Sequence, residues 1–137
     1  MNDYMQRGYA AVKAQNIKAA VQYFERAWKE SPEDPLAQAW LGQSLCSMGQ
    51  NKQGLAHLRQ AGMHFIQTSV ASKSKNINLI LEVATQLQHW GDFQGALELL
   101  SQTIEINNSE FRCFQIIAAT YAQLNKKKKP CLLAKKP

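Results

Sequence analysis

Shifted by 34 residues, this chain falls on itself: Gly8 lands on Gly42, Ala11 on Leu45, Phe24 on Leu58 and Ala27 on Ala61. A further shift of 42 sets Leu41 on Val83, Gly42 on Ala84, Leu45 on Leu87, Gly49 on Gly91 and Leu58 on Leu100. Ile117, Ala118 and Tyr121 then repeat Val83, Ala84 and Leu87. A period of this size marks a supersecondary unit that buries its apolar face only by stacking on its neighbours. The register divides the chain into units 1–34, 35–68 and 77–110 and a half unit 111–125. Residues 69–76 are inserted between the second and third units, and 126–137 form a Lys-rich tail.

Each unit reads as two helices joined by turns. Apolar residues recur at helical spacing, as in Ala20, Phe24, Ala27 and Trp28, or Leu55, Leu58, Ala61 and Phe65. Asn16 and Asp92 stand where a side chain can cap a helix, and Asp34-Pro35 pairs a capping carboxylate with proline at the first helical position. Asn107-Asn108-Ser109 closes the third unit and can cap the next helix. Pro32 stops the second helix, and Gly49 and Gly91 sit where a helix ends and the chain reverses. The expected helices span about 2–14, 17–30, 35–48, 52–68, 77–89, 93–106 and 110–124. The insertion lacks Pro and Gly, so it can lengthen the fourth helix; its Ser and Lys content favours a loop. A partial extension followed by a loop is expected. Gly8, Gly42, Ala84 and Ala118 share one position, and Ala20, Gly54 and Ala96 another, where small side chains let paired helices cross closely.

These residues resemble the tetratricopeptide repeat. The first unit places Tyr4, Gly8, Ala20, Phe24, Ala27 and Pro32 on six of the family's eight marked positions and departs at Arg7 and Ala11. The second keeps Leu41, Gly42 and Ala61 but has Ile66 where the closing proline belongs; the third keeps Ala96, and the fourth keeps Phe114 and Tyr121. The resemblance implies an all-α fold: a right-handed superhelical stack of antiparallel helix pairs, an α-solenoid of about seven helices. It also implies a non-catalytic scaffold whose first helices line a concave groove for a peptide or helix of a partner protein. The facing positions include Met5, Tyr9 and Lys13 in the first unit, Gln43 and Ser47 in the second, and Leu81, Thr85, Gln88 and His89 in the third. Asn2, Val12, Leu36, Ala39, Cys46, Asn78, Arg112, Gln115 and Ala119 share those positions. The Lys and Asn that clamp a carboxylate in chaperone-binding members are replaced by Met5 and Tyr9, then Ala39 and Gln43, which disfavours a chaperone-tail ligand.

Chemistry beyond binding finds no foothold in the sequence. Cys46, Cys113 and Cys131 are widely spaced thiols without ligand partners, and no acidic residue three or four positions away orients His57 or His64. No catalytic residue, metal site, cofactor or small-molecule substrate is expected. No basic residues interleave Trp28, Trp40 and Trp90, as a base-stacking platform requires. The net charge of +6 comes from the tail: six of sixteen basic residues lie there, and the other ten balance the ten acidic ones. Nucleic-acid or membrane-surface contact is therefore expected only through the Lys-rich tail, residues 126–137, with its run Lys126–Lys129. The N-terminus lacks a basic region followed by an apolar run, so the expected location is cytoplasmic.

The half unit leaves a further expectation. Without a second helix, Phe111, Phe114, Ile117 and Tyr121 form an apolar face for self-association or for docking a partner. An alternative is that the chain is a repeat region of a larger enzyme or regulator.

Overall fold

The computed structural model describes the backbone of residues 3–72, 77–107 and 110–134 and the side chains of these except 69–72 and 127–134. It contains α1 (Asp3–Lys13), α2 (Ile17–Glu30), α3 (Pro35–Ser47), α4 (Asn51–Ser72), α5 (Ile77–His89), α6 (Phe93–Ile106) and α7 (Phe111–Ala134). Each helix packs on its neighbour in the chain; α4 also touches α6, and α5 touches α7. The architecture is an all-α tetratricopeptide-like solenoid of stacked helix pairs.

Local sequence sets the joints. Asn16 Oδ1 accepts from the Ala19 N–H at 3.3 Å, and Asp34 Oδ1 from the Leu36 N–H at 3.0 Å. Gly49 and Gly91 adopt φ of 89° and 93°, the left-handed region that reverses the chain at little cost to glycine. The first unit makes the equivalent turn at Gln15 with φ 61°, a position the sequence does not flag. Asp92 caps α6 through the Gly95 N–H at 3.1 Å and also receives a bidentate pair from Arg59 of α4, both bonds at 2.5 Å. Burial pushes the Asp92 carboxyl up, but Arg59 and the Gly95 N–H outweigh it and hold the group below its usual range.

The small residues lie where the helices cross. A Cβ on Gly42 would stand 2.7 Å from the Gly54 carbonyl oxygen, and one on Gly54 would stand 2.6 Å from that of Gly42. The α3–α4 crossing is thus backbone against backbone. Gly8 of α1 likewise leaves room for the Phe24 ring.

The core forms two clusters that meet at α3. Met5, Ala11, Ala20, Phe24, Ala27, Ala37, Leu41 and Leu45 make the first. The second runs from Cys46 and Leu58 through Ile80 and Leu87 to Leu100 and Cys113. Leu36 packs against both. Of the buried side-chain polar atoms among the described residues, Trp90 Nε1 has no hydrogen-bond partner, while others are satisfied. Thr103 and Thr120 donate to the carbonyls of Leu99 and Ile116 at 2.8 and 2.7 Å. Buried Gln38 donates to Gln60 Oε1 at 2.6 Å and lies 3.3 Å from His57 Nδ1. The Trp28 ring meets His57 edge-on at 4.9 Å, and burial lowers the His57 pKa against an opposing pull from Glu25.

The insertion partly extends α4, as expected, and one boundary, the end of α7, differs from expectation. α4 runs to Ser72, so half of the insertion is helix; residues 73–76 lie outside the described residues. α7 runs to Ala134 instead of ending near 124, carried on through Lys126–Lys129, which are good helix formers. Asn2, Asn108, Ser109 and the side chains of Lys127–Lys129 and Cys131 fall outside the described residues.

Two predictions follow from the joints and crossings. Gly42→Ala costs about 1–3 kcal/mol, because its methyl meets backbone that cannot yield. Gly62→Ala costs less, because its methyl meets the movable ends of Leu99 and gains helix propensity; chemical denaturation of both variants ranks them. Asp92→Ala lowers stability by about 1–2 kcal/mol at neutral pH, through loss of the cap and the Arg59 pair. With its folded pKa depressed, Asp92 contributes fully above its unfolded pKa of about 4, and that contribution is lost as pH falls through the folded value. Denaturant midpoints from neutral pH into acid should therefore converge for the wild type and Asp92→Ala.

Candidate functional site

First helices face one side of the stack, and three of them enclose a groove of about 870 Å³. α3 contributes Leu36, Ala39, Trp40 and Gln43; α5 contributes Asn78, Leu81, Glu82, Thr85 and Gln86; α7 contributes Arg112, Gln115 and Ile116. Leu58 and Phe65 of α4 close the floor. Such a surface holds an apolar floor with amide and hydroxyl groups along its edges. Its charges are Glu82 on α5 and Arg112 on α7. Arg112 Nε donates to Glu110 Oε1 at 2.7 Å, which anchors the guanidinium at the groove edge and lowers the Glu110 pKa.

Of the nine residues expected to face a partner, the structure brings Gln43, Leu81 and Thr85 into this groove. Leu81 is 5% exposed and packs in the second core cluster, so it is a core residue that meets the groove only as part of its floor. Thr85 is exposed, and its hydroxyl donates to the Leu81 carbonyl at 2.8 Å.

The others lie elsewhere. Met5 is 3% exposed and packs in the first core cluster, so it is a core residue and not a surface contact. Tyr9 is half-buried in an aromatic cluster, edge-on to Phe24 at 5.8 Å and to Trp40 at 5.1 Å. Burial raises its phenol pKa, as does the Asp34 carboxylate, against an opposing hydrogen bond from Trp40. This cluster ends the groove at the second unit. Lys13, Ser47, Gln88 and His89 sit at or near the C-terminal ends of their helices, away from the lining.

Sequence reasoning missed Trp40, Glu82 and Ile116. They share the sixth position of their units, directly after the fifth, which was assigned to the groove. Trp40 is a packing residue: it stacks on Phe24 at 5.6 Å and 26°. The same indole also walls the groove.

The expected outer face of α7 is only partly uniform. Phe111 is 68% exposed, Phe114 50% and Tyr121 53%, whereas Ile117 leans on the second core cluster.

Cys46 and Cys113 are free and buried, and burial raises both thiols above the ordinary value. Among the described residues no three His, Cys, Asp or Glu side chains are placed to hold a metal ion. Nor is any described helix long and apolar enough to cross a membrane.

Compared with known families, a family model described as tetratricopeptide repeat matches residues 11–68, from the end of α1 through most of α4. The match includes Trp40 and Gln43 and the Gly42–Gly54 crossing. No curated protein matches the chain.

Trp40→Ala removes a ring shared by the groove wall and the aromatic cluster. It should cost about 2–4 kcal/mol, near the lower end for a large core truncation because Trp40 is half-buried. Thermal unfolding checks this, and the Tyr9 fluorescence environment should change with it.

Proposed function

We propose, from the match of a tetratricopeptide repeat model to residues 11–68 and on the premise that such domains generally mediate protein–protein interaction, that the chain is a non-catalytic scaffold that holds a segment of a partner protein in the groove of α3, α5 and α7. The observation that carries this reading is the groove's lining. Leu36, Trp40 and Leu81 offer apolar contact, while Gln43, Asn78, Gln86 and Gln115 offer amide donors and acceptors. That combination suits a peptide or helix that buries apolar side chains and satisfies its polar groups on side-chain amides. Because the groove holds one acidic and one basic residue, neither a strongly acidic nor a strongly basic segment is favoured.

A displayed peptide library selected on the full chain tests the reading. Selected peptides should bind Gln43→Lys and Thr85→Lys at least about tenfold more weakly than the wild type, a difference of about 1.4 kcal/mol. Lys13→Glu, away from the groove, should bind as the wild type does. Calorimetry on the isolated peptides reads both. Peptides that bind the Thr85 variant unchanged, or lose affinity for the Lys13 variant, would place the binding surface elsewhere.

A further inference from the structure

The first-helix face that receives a second helix is covered three times and bare once. At the eighth position of the units, Gly8, Gly42 and Ala84 are buried, while Ala118 is exposed. At the eleventh, Ala11, Leu45 and Leu87 are buried, while Tyr121 is 53% exposed. At the fourth, Gln38 and Ile80 are buried, while Phe114 is 50% exposed. Phe111, Phe114, Ala118 and Tyr121 follow one another at helical spacing on the side of α7 away from buried Cys113 and Thr120. This face is separate from the groove, which α7 meets through Arg112, Gln115 and Ile116.

We propose that a second copy of the chain covers it, α7 packed antiparallel on α7 about a two-fold axis between Phe114 and Ala118. The face is complementary to itself in that arrangement. Within the chain, paired helices set a bulky side chain on a small residue, as Phe24 meets Gly8 and Leu58 meets Gly42. Across the axis, Phe114 of each copy rests on Ala118 of the other, and the same register brings Phe111 against Tyr121. A two-fold interface requires this reciprocity.

Charge favours the same direction. From Phe111 to Asn125 the only charged residue is Arg112, already paired with Glu110. Antiparallel packing about this axis holds the exposed Lys126 of the two copies roughly 30 Å apart. Parallel packing would set lysine against lysine. The area predicts the strength. Three rings of roughly 200 Å² each, half or more exposed, give roughly 400 Å² per copy with the alanines. The total of roughly 800 Å² falls short of the ~1,200 Å² of a standard stable interface, so the dimer is weak.

Sedimentation equilibrium of the full chain, from the low micromolar to the millimolar range, tests this. The wild type should pass from monomer to dimer within that range, and Phe114→Asp and Ala118→Glu should each remain monomeric. Both positions are exposed in a single copy, so circular dichroism and melting should stay unchanged, and the Ala118 variant decides alone if the Phe114 variant misfolds. A wild type that stays monomeric throughout overturns the proposal and leaves the face to a helix of a different protein. A dimer that survives both face variants overturns it as well.

Discussion

Everything in this fold depends on how closely two helices can approach, and at α3 and α4 the approach is limited by the backbone itself. Gly42 and Gly54 each occupy the space that a side chain on the other would need. Helix axes in proteins commonly lie 8–10 Å apart, and the lower part of that range requires small residues at the contact. Once the crossing is fixed, Leu58 can fill the space beside it, as Phe24 does beside Gly8. The same device recurs with Ala84 and Ala96 in the third unit, both fully buried. A single steric rule, repeated, thus sets the geometry of a stack in which each helix answers mainly to its neighbours.

Polar interactions then determine where the stack bends. The carboxylate of Asp92 ends one turn, begins α6 and ties that point to Arg59 on α4, joining the second unit to the third. Asp34 and Asn16 act only locally, on the helices they begin. The groove is a product of these joints. It opens where first helices of successive units stand side by side, and it closes at the first unit because Tyr9, Phe24 and Trp40 fill the space there.

Much of this was legible in the sequence because it rests on local chemistry. Asp34-Pro35, Gly49 and Gly91 mark helix ends through backbone preferences that act within a few residues. The repeat register predicted which small residues would meet. What could not be read depends on the third dimension. Met5 and Leu81 share the fifth position of their units and both lie in the core, yet only Leu81 also floors a groove, because the first unit has no groove beside it. Trp40 gives no local sign that one indole serves two surfaces. Gln15 adopts a left-handed turn where the other units use glycine, closed by the Asn16 N–H on the Ala11 carbonyl at 2.8 Å. The continuation of α7 to Ala134 passes Pro130, a residue whose usual effect is to end a helix.

The double duty of Trp40 has a thermodynamic consequence. One of its faces stacks on Phe24 inside the first unit, and its other side borders the groove formed by the later ones. Opening of α1 and α2 would free the indole and deform the groove wall, so the groove is whole only while the first unit is closed. By linkage, a ligand that prefers the intact wall must also hold the first unit shut. Its binding would be recorded as slowed amide exchange in helices that it never touches.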